Sequence, residues 1–431
     1  MRPLRSLWNE YRDAARAFSR PARLFLVCDL FAWAANGMHQ VLYNLYLVEA
    51  GYQEAFVGRA ISANAIGLAL AALPAGLLAD RWGRRRTLIL GVACEAAGLV
   101  IRSTVLAVEP ILAGSFVTGV GQAFVLITAA PFITEHSTPK ERTHLFTAFF
   151  AVSLSAGVVG SLLGGMLPWA LLALPGIARP DTLGAYRITL LAAGVLAGLA
   201  IEPLRRMGDL HETPAASDPE PVPPEVKRRL LPIAVNAFLL GSGAGLVIPF
   251  MNLYFAHRFD CSSAQIGAFF SVAQVITAIA ALLGPPISRR FGKLRTATAF
   301  ELASLPFLVT LGAERHLPVA VGAFWLRAML MQASTPLHHA FVMEVLPRRL
   351  RARSTSINSA LWHAGWAVSS AVAGLVIQRF GYAVPFYVTA CLYAGAAGTL
   401  FFAFRRITEP LHAPVPPAEA GARHAEGTIT E

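Results

Sequence analysis

The stretch GLLADRWGRRRT, residues 76–87, sets one carboxylate among four arginines and frames them with two glycines. Asp80 beside Arg81, Arg84 and Arg85 can form a charge-assisted pair or cap a helix N-terminus. Gly76 lets a second helix approach closely, and Gly83 permits a tight turn. Arg84 to Arg86 also attract anionic lipid, worth about 1 kcal/mol each near a membrane surface. This is chemistry of breakable ion pairs, not of bond cleavage. Two further acid–base pairs repeat one spacing: Glu135 with Arg142, and Glu344 with Arg351. A second basic turn, PPISRRFGKLRT (285–296), carries Arg290, Gly292 and Lys293, with Arg289 where the first turn has its Asp.

Polar side chains inside apolar runs form the other group. The run GMHQVLYNLYL (37–47) carries His39, Gln40, Tyr43 and Asn44, and on a helix His39 and Tyr43 share one face while Gln40 and Asn44 share the next. Asn252 follows Pro249 in a similar run; Gln122, Arg327 and Gln332 lie in two others. In hydrocarbon such groups are costly unless they face water, a ligand or a partner helix. They are therefore candidates for a substrate cavity, with helix–helix hydrogen bonding as the competing reading. Asp29 and Glu95 are candidates to carry a proton, although Glu95 and Arg102, seven apart, could neutralise each other. No HExxH, serine-centred motif or paired carboxylates appear, so the chain is not expected to be an enzyme. The four cysteines have no metal-ligand spacing, and no metal or cofactor is expected beyond a possible proton gradient.

The elements that position these residues follow from composition. Of 431 residues, 55% are hydrophobic and 14% charged, against roughly 25% charged in soluble domains. Apolar runs of about 20 residues or more recur along the chain, long enough to cross a bilayer. The expected organisation is a lead at 1–22, six spans within 23–203, a Pro-rich charged linker at 204–229, six more spans within 230–405, and a polar tail at 406–431. With both ends in the cytoplasm, inward segments hold 28 of 36 Lys and Arg and outer loops hold six. That asymmetry sets the orientation. It also explains the net charge of +11 without nucleic acid, and it places anionic lipid at the cytoplasmic face.

The two sixes are copies. Asn44-Leu45-Tyr46 meets Asn252-Leu253-Tyr254 at an offset of 208; Gly58 meets Gly267, Gly83 meets Gly292, and Thr87 meets Thr296, each at 209. Parallel repeats of this kind place a binding site between halves. GLLADRWGRRR, between spans two and three, resembles the loop signature G-x-x-x-D-[RK]-x-G-[RK]-[RK] of the major facilitator superfamily. The resemblance implies an all-α fold of twelve membrane helices in two six-helix bundles. It also implies alternating access to a small molecule, and a monomer in a bacterial-type plasma membrane. It assigns Asp80 to a latch that reaches the other half near span eleven. Glu135, Arg142, Glu344 and Arg351 would form the supporting network. Spans one, four, seven and ten would line the cavity, with Arg327 a possible anchor for an anion. Ser115 and Ser161 stand where drug–proton antiporters of the superfamily usually carry Arg and Pro. The remaining small-residue stripe Gly157, Gly160, Gly164, Gly165 favours proton-coupled export of an amphiphile or drug. The alternative is uptake of a small polar or anionic nutrient.

Overall fold

Two glycines with positive φ turn the chain at equivalent places: Gly83 at 94° and Gly292 at 84°. Each joins two long helices, because only a residue without Cβ takes that backbone cheaply. The computed structural model describes residues 18–138, 141–174, 180–207, 224–345 and 351–405, without the side chains of 224–229, 281–285 and 351–356. Most of the expected lead and linker, and all of the tail, lie outside these residues.

The first half comprises α1 (Arg20–Glu49), α2 (Glu54–Trp82), α3 (Arg84–Thr104), α4 (Val108–Glu135), α5 (Arg142–Leu172) and α6 (Thr182–Leu199), with a short helical extension Ile201–Arg205. In the second, α7 runs Pro224–Val247, passes through a 3-10 turn at Ile248–Phe250 and resumes at Met251–Phe259. Then follow α8 (Ser263–Phe291), α9 (Lys293–Ala313), α10 (Leu317–Val345), α11 (Arg351–Phe380) and α12 (Ala383–Phe404). Among the described residues, eleven spans are long and apolar enough to cross a membrane. The twelfth helix, α1, has 30 residues. At 1.5 Å per residue it is also long enough, and it carries the polar residues Asp29, His39, Gln40 and Asn44.

The break in α7 has a local cause. Pro249 has no N–H, so the carbonyl of Gly245 loses its helical donor. Ser370 Oγ of α11 supplies the missing bond at 3.1 Å.

The sequence repeat is also a repeat of contacts. Tyr46 donates to the carbonyl of Ser103 at 2.9 Å, and Tyr254 to that of Leu311 at 2.7 Å. Each tyrosine ties the first helix of its half to the end of the third. Thr87 bonds back to Gly83, and Thr296 to Gly292. The halves meet along two equivalent seams, α2 on α11 and α5 on α8. A Cβ on Gly58 would lie 2.5 Å from Ser370 O and 3.2 Å from Gly374 Cα; one on Gly267 would lie 2.5 Å from Ser161 O and 3.0 Å from Gly165 Cα. Backbones pressed together through small residues are how helices associate where the hydrophobic effect offers little. The stripe on α5 divides its duties: Gly160 and Gly164 pack on Ala34 and Met38 of α1, while Gly157 and Gly165 face α8.

Candidate functional site between the halves

The two ends of the bundle are called the linker end, where α1 begins, and the distal end, where α1 stops. Near the distal end, α1 meets the broken part of α7 through the repeated asparagines. Asn44 Nδ2 donates to the Pro249 carbonyl at 2.6 Å and to Asn252 Oδ1 at 3.1 Å. Asn252 Nδ2 donates back to the carbonyls of Val41 at 3.0 Å and Gln40 at 3.3 Å. Both side chains are buried. The bent backbone at Pro249 exposes the carbonyl that Asn44 takes, so the break in α7 builds half of this junction.

Further polar contacts join the seams. Ser263 Oγ donates to Gly165 O at 3.0 Å, Ser271 Oγ to Val158 O at 3.1 Å, and Gln274 Nε2 to Ser161 Oγ at 2.9 Å. The deepest, at Gln274, is eleven residues into α8, about 17 Å from its distal start at 1.5 Å per residue. Together they close the distal end.

On the linker side of that seal, the His39 ring stacks on Tyr43 with centroids 4.4 Å apart. Arg102 lies over the same Tyr43 ring at 4.4 Å, and Tyr43 Oη is 3.5 Å from Ser115 Oγ. Both His39 nitrogens and Arg102 Nε are enclosed without a hydrogen-bond partner. Glu95 and Arg102 are both buried on α3, and Gln122 of α4 stands beside the Glu95 carboxyl. Asp29 is buried too, and accepts from Ser153 Oγ of α5 at 2.6 Å. In the second half, Arg327 is buried and its Nη2 bonds Tyr393 Oη of α12 at 3.3 Å. Its visible partner is thus in its own half. Gln332 is exposed, with Thr335 at 3.5 Å.

At the linker end, Asp80 Oδ1 pairs with Arg84 Nη1 at 2.8 Å, and Arg84 Nε reaches Glu135 Oε1 at 3.3 Å. The equivalent Lys293 pairs with Glu344, so the repeat preserves a basic turn residue against the acid that ends the fourth helix of each half. Asp80 stays 43% exposed in its side chain. Arg85 donates to the carbonyls of Leu204 and Arg205 at 2.9 and 2.8 Å, satisfying the open end of the short helical extension after α6. Arg142 reaches Thr134 O and Ser137 Oγ, so Glu135 is joined to Arg84 and not to Arg142. Arg81 and Arg290 are exposed, Arg290 over the Phe291 ring at 5.4 Å. A Cβ on Gly76 would have only an Ile127 methyl near 3.9 Å, whereas Gly83 owes its presence to its φ. The side chain of Arg351 lies outside the described residues.

One cluster at the distal rim had no signal in the sequence. Glu54 Oε1 of α2 lies 3.2 Å from His257 Nδ1 of α7, Tyr382 Oη is 2.9 Å from that nitrogen, and Tyr382 donates to Glu54 Oε1 at 3.5 Å. Gln378 bonds Gln53 beside them. These residues lie hundreds of positions apart and share no motif. In the sequence, Glu54 reads only as a first-turn acid favourable to its helix.

The chain resembles known proteins along its length. The Major Facilitator Superfamily profile matches residues 25–232 and again 233–429. The uncharacterized MFS-type transporter YceJ of Bacillus subtilis (strain 168) is 24% identical over 337 residues, 74% of this chain and 80% of YceJ. A shorter stretch of 101 residues, 23% of this chain, is 34% identical to NiaP of the same organism, named as a niacin/nicotinamide transporter, and covers 25% of it. The solved structure of a bacterial homolog of the human lysosomal transporter Spinster, inward-facing and occupied, superposes with a TM-score of 0.74 at 15% identity. It covers 89% of this chain and 96% of that one. Two matched repeats, two bundles with equivalent seams and eleven strongly apolar spans leave one assignment: this chain is a multi-pass membrane protein of the Major Facilitator Superfamily.

Proposed function

We propose that this chain is a secondary active transporter that moves a small amphiphilic organic molecule by alternating access, coupled to protons, in the direction of export. The observation that carries the reading is the reciprocal Asn44–Asn252 junction. It closes one end of the interface between two equivalent bundles, directly beyond the unpartnered His39 and the Tyr43–Arg102 stack. Opening that junction while closing the linker end exchanges access to one central site. His39, Gln40, Tyr43, Asn44, Gln122, Asn252, Arg327 and Gln332 are the proposed substrate contacts. Buried Asp29 and Glu95 are the proposed proton carriers. The Asp80–Arg84–Glu135 network, with Arg81, Arg85 and Arg142, is the proposed latch of the opposite face; Arg290, Glu344 and Arg351 are its counterparts. The Lys and Arg distribution supports cytoplasmic termini and a cytoplasmic linker end in a plasma membrane. Its basic turns rest on anionic lipid, and the unit of transport is a monomer.

Uptake of a small anionic nutrient is the second reading. The local similarity to a protein named as a niacin/nicotinamide transporter favours it, as do two buried arginines without a carboxylate at ion-pair distance among the described residues. Flux in proteoliposomes separates the two. A thermal-shift screen with nicotinate and with cationic amphiphiles chooses the probe, and its movement is then followed under imposed proton gradients of either sign. Export predicts accumulation of an amphiphile against a proton flow. Nicotinate movement with the protons selects uptake. Movement of neither, with a folded protein, overturns the substrate class.

A further inference from the structure

We infer that Glu54, His257 and Tyr382 form a proton-controlled gate on the distal face, in which one proton on His257 decides whether the halves are tied together. The inference rests on alternating access and goes beyond it, by assigning the distal opening to the proton on one imidazole.

The geometry has one element from the first half and two from the second. Glu54 begins α2; His257 is near the end of α7; Tyr382 precedes α12. Both Glu54 Oε1 and Tyr382 Oη lie within hydrogen-bond distance of the same nitrogen, His257 Nδ1, at 3.2 and 2.9 Å. Donor counting then gives two states. When His257 is protonated, Nδ1–H donates to the Glu54 carboxylate, and the Tyr382 hydroxyl is free to donate to Glu54 as well. Two bonds, one carrying full charge, cross the seam. When His257 loses that proton and holds the other on Nε2, Nδ1 becomes an acceptor. Tyr382 now donates to it, inside the second half, and Glu54 keeps neither donor. In the other neutral tautomer Nδ1–H remains, but the donor loses its positive charge. Either way deprotonation weakens the tie.

The neighbouring charges are occupied or turned outward. On α2, Arg59 lies over the Phe56 ring at 5.3 Å. On α11, Arg379 lies over Phe380 at 5.7 Å. On α7, Arg258 donates to the Glu314 carbonyl at 2.9 Å, and the Glu314 carboxylate takes His316. Glu49 of α1 and Asp260, after α7, are exposed. Tyr254, beneath Tyr382, is committed to Leu311 O. The His257 charge therefore has Glu54 as its carboxylate. The gate sits beyond the Asn44–Asn252 junction, so opening the distal face must break both.

The sign follows. The tie is complete while His257 is protonated and Glu54 ionised. It is lost when His257 gives up its proton, and again when Glu54 takes one. By reciprocity, a proton that favours the closed state about tenfold shifts the open-to-closed ratio about tenfold when it leaves.

The test uses the full-length protein in nanodiscs, with its four cysteines replaced and spin labels at exposed Val108 and Val319, at the distal ends of α4 and α10. Distances are read by double electron–electron resonance between pH 5.5 and 8.5. The expected result is a distal-open population rising about tenfold over that range. Glu54→Gln and His257→Gln should hold it high and flat, and Tyr382→Phe should reduce the rise. His257→Lys, which keeps a charge at every pH used, should hold it low and flat. A pH response that survives His257→Gln overturns the gate, and so does a wild type with two distances in pH-independent proportion; in both cases alternating access stands. A wild type with one distance at all pH values, with and without substrate probes, overturns alternating access itself.

Discussion

Replacing Asn252 with Ala tests whether the asparagine junction holds the distal face closed. The side chain is 1% exposed and takes part in three bonds across the halves: it accepts from Asn44, and it donates to the carbonyls of Val41 and Gln40. In the open state these groups meet water, so each bond contributes a net of about 0.5–1.5 kcal/mol to closure. Three bonds give roughly 3 kcal/mol, and at 1.4 kcal/mol per tenfold the open-to-closed ratio rises on the order of 100-fold. The same spin-label distances report that ratio, with Asn44→Ala as the second arm. Asn44→Ala loses two cross-half bonds, to Pro249 and Asn252, and should shift the ratio by about 2 kcal/mol. The double variant should fall short of the sum by about 1 kcal/mol, the bond the two residues share. A ratio within a factor of two of wild type for Asn252→Ala would refute the reasoning, provided thermal unfolding stays cooperative. Strict additivity would refute the direct bond alone.

Three other outcomes are expected. Gly267→Val places a branched side chain where even a Cβ meets Ser161 O at 2.5 Å; overpacking of this order costs about 1–3 kcal/mol, seen as a lowered melting temperature and weakened distal closure, while Gly322→Val, in open space, should change neither. Asp80→Asn removes the carboxylate paired with Arg84 and, if the latch proposal holds, slows transport and shifts the inward–outward balance; unchanged flux and unchanged distances would leave the pair a local surface contact. Burial, then Asp260, push the Cys261 thiol above its ordinary range, so at pH 7.5 a water-soluble maleimide should label it slowly, and opening of the distal face by Asn252→Ala should speed labelling; rapid wild-type reaction would contradict the burial.

Much of this molecule is written in one dimension. Apolar runs mark the spans because bilayer thickness fixes how many apolar residues a helix needs. The offset of 208 to 209 marks the two halves because equivalent bundles need equivalent turns, caps and close approaches. Gly83 and Gly292 are legible for that reason. Asn44 and Asn252 stand out because an amide in an apolar run needs a partner. That they would partner each other followed only from folding, since two helices over 200 positions apart must first pack and α7 must break at Pro249. Glu135 illustrates the same limit. Its seven-residue spacing from Arg142 suggested a pair, yet the fold brings Arg84 nearer, because α3 and α4 lie side by side. The Glu54–His257–Tyr382 cluster marks the far end of this scale. Each residue is ordinary where it stands in the chain, and its chemistry comes from a meeting of helix ends that no local pattern encodes. Sequence determined the helices, their number and their pairing into halves, through solvent preference and backbone geometry. Tertiary structure decided which polar groups meet, because hydrogen bonds between helices depend on depth and rotation, and composition fixes neither.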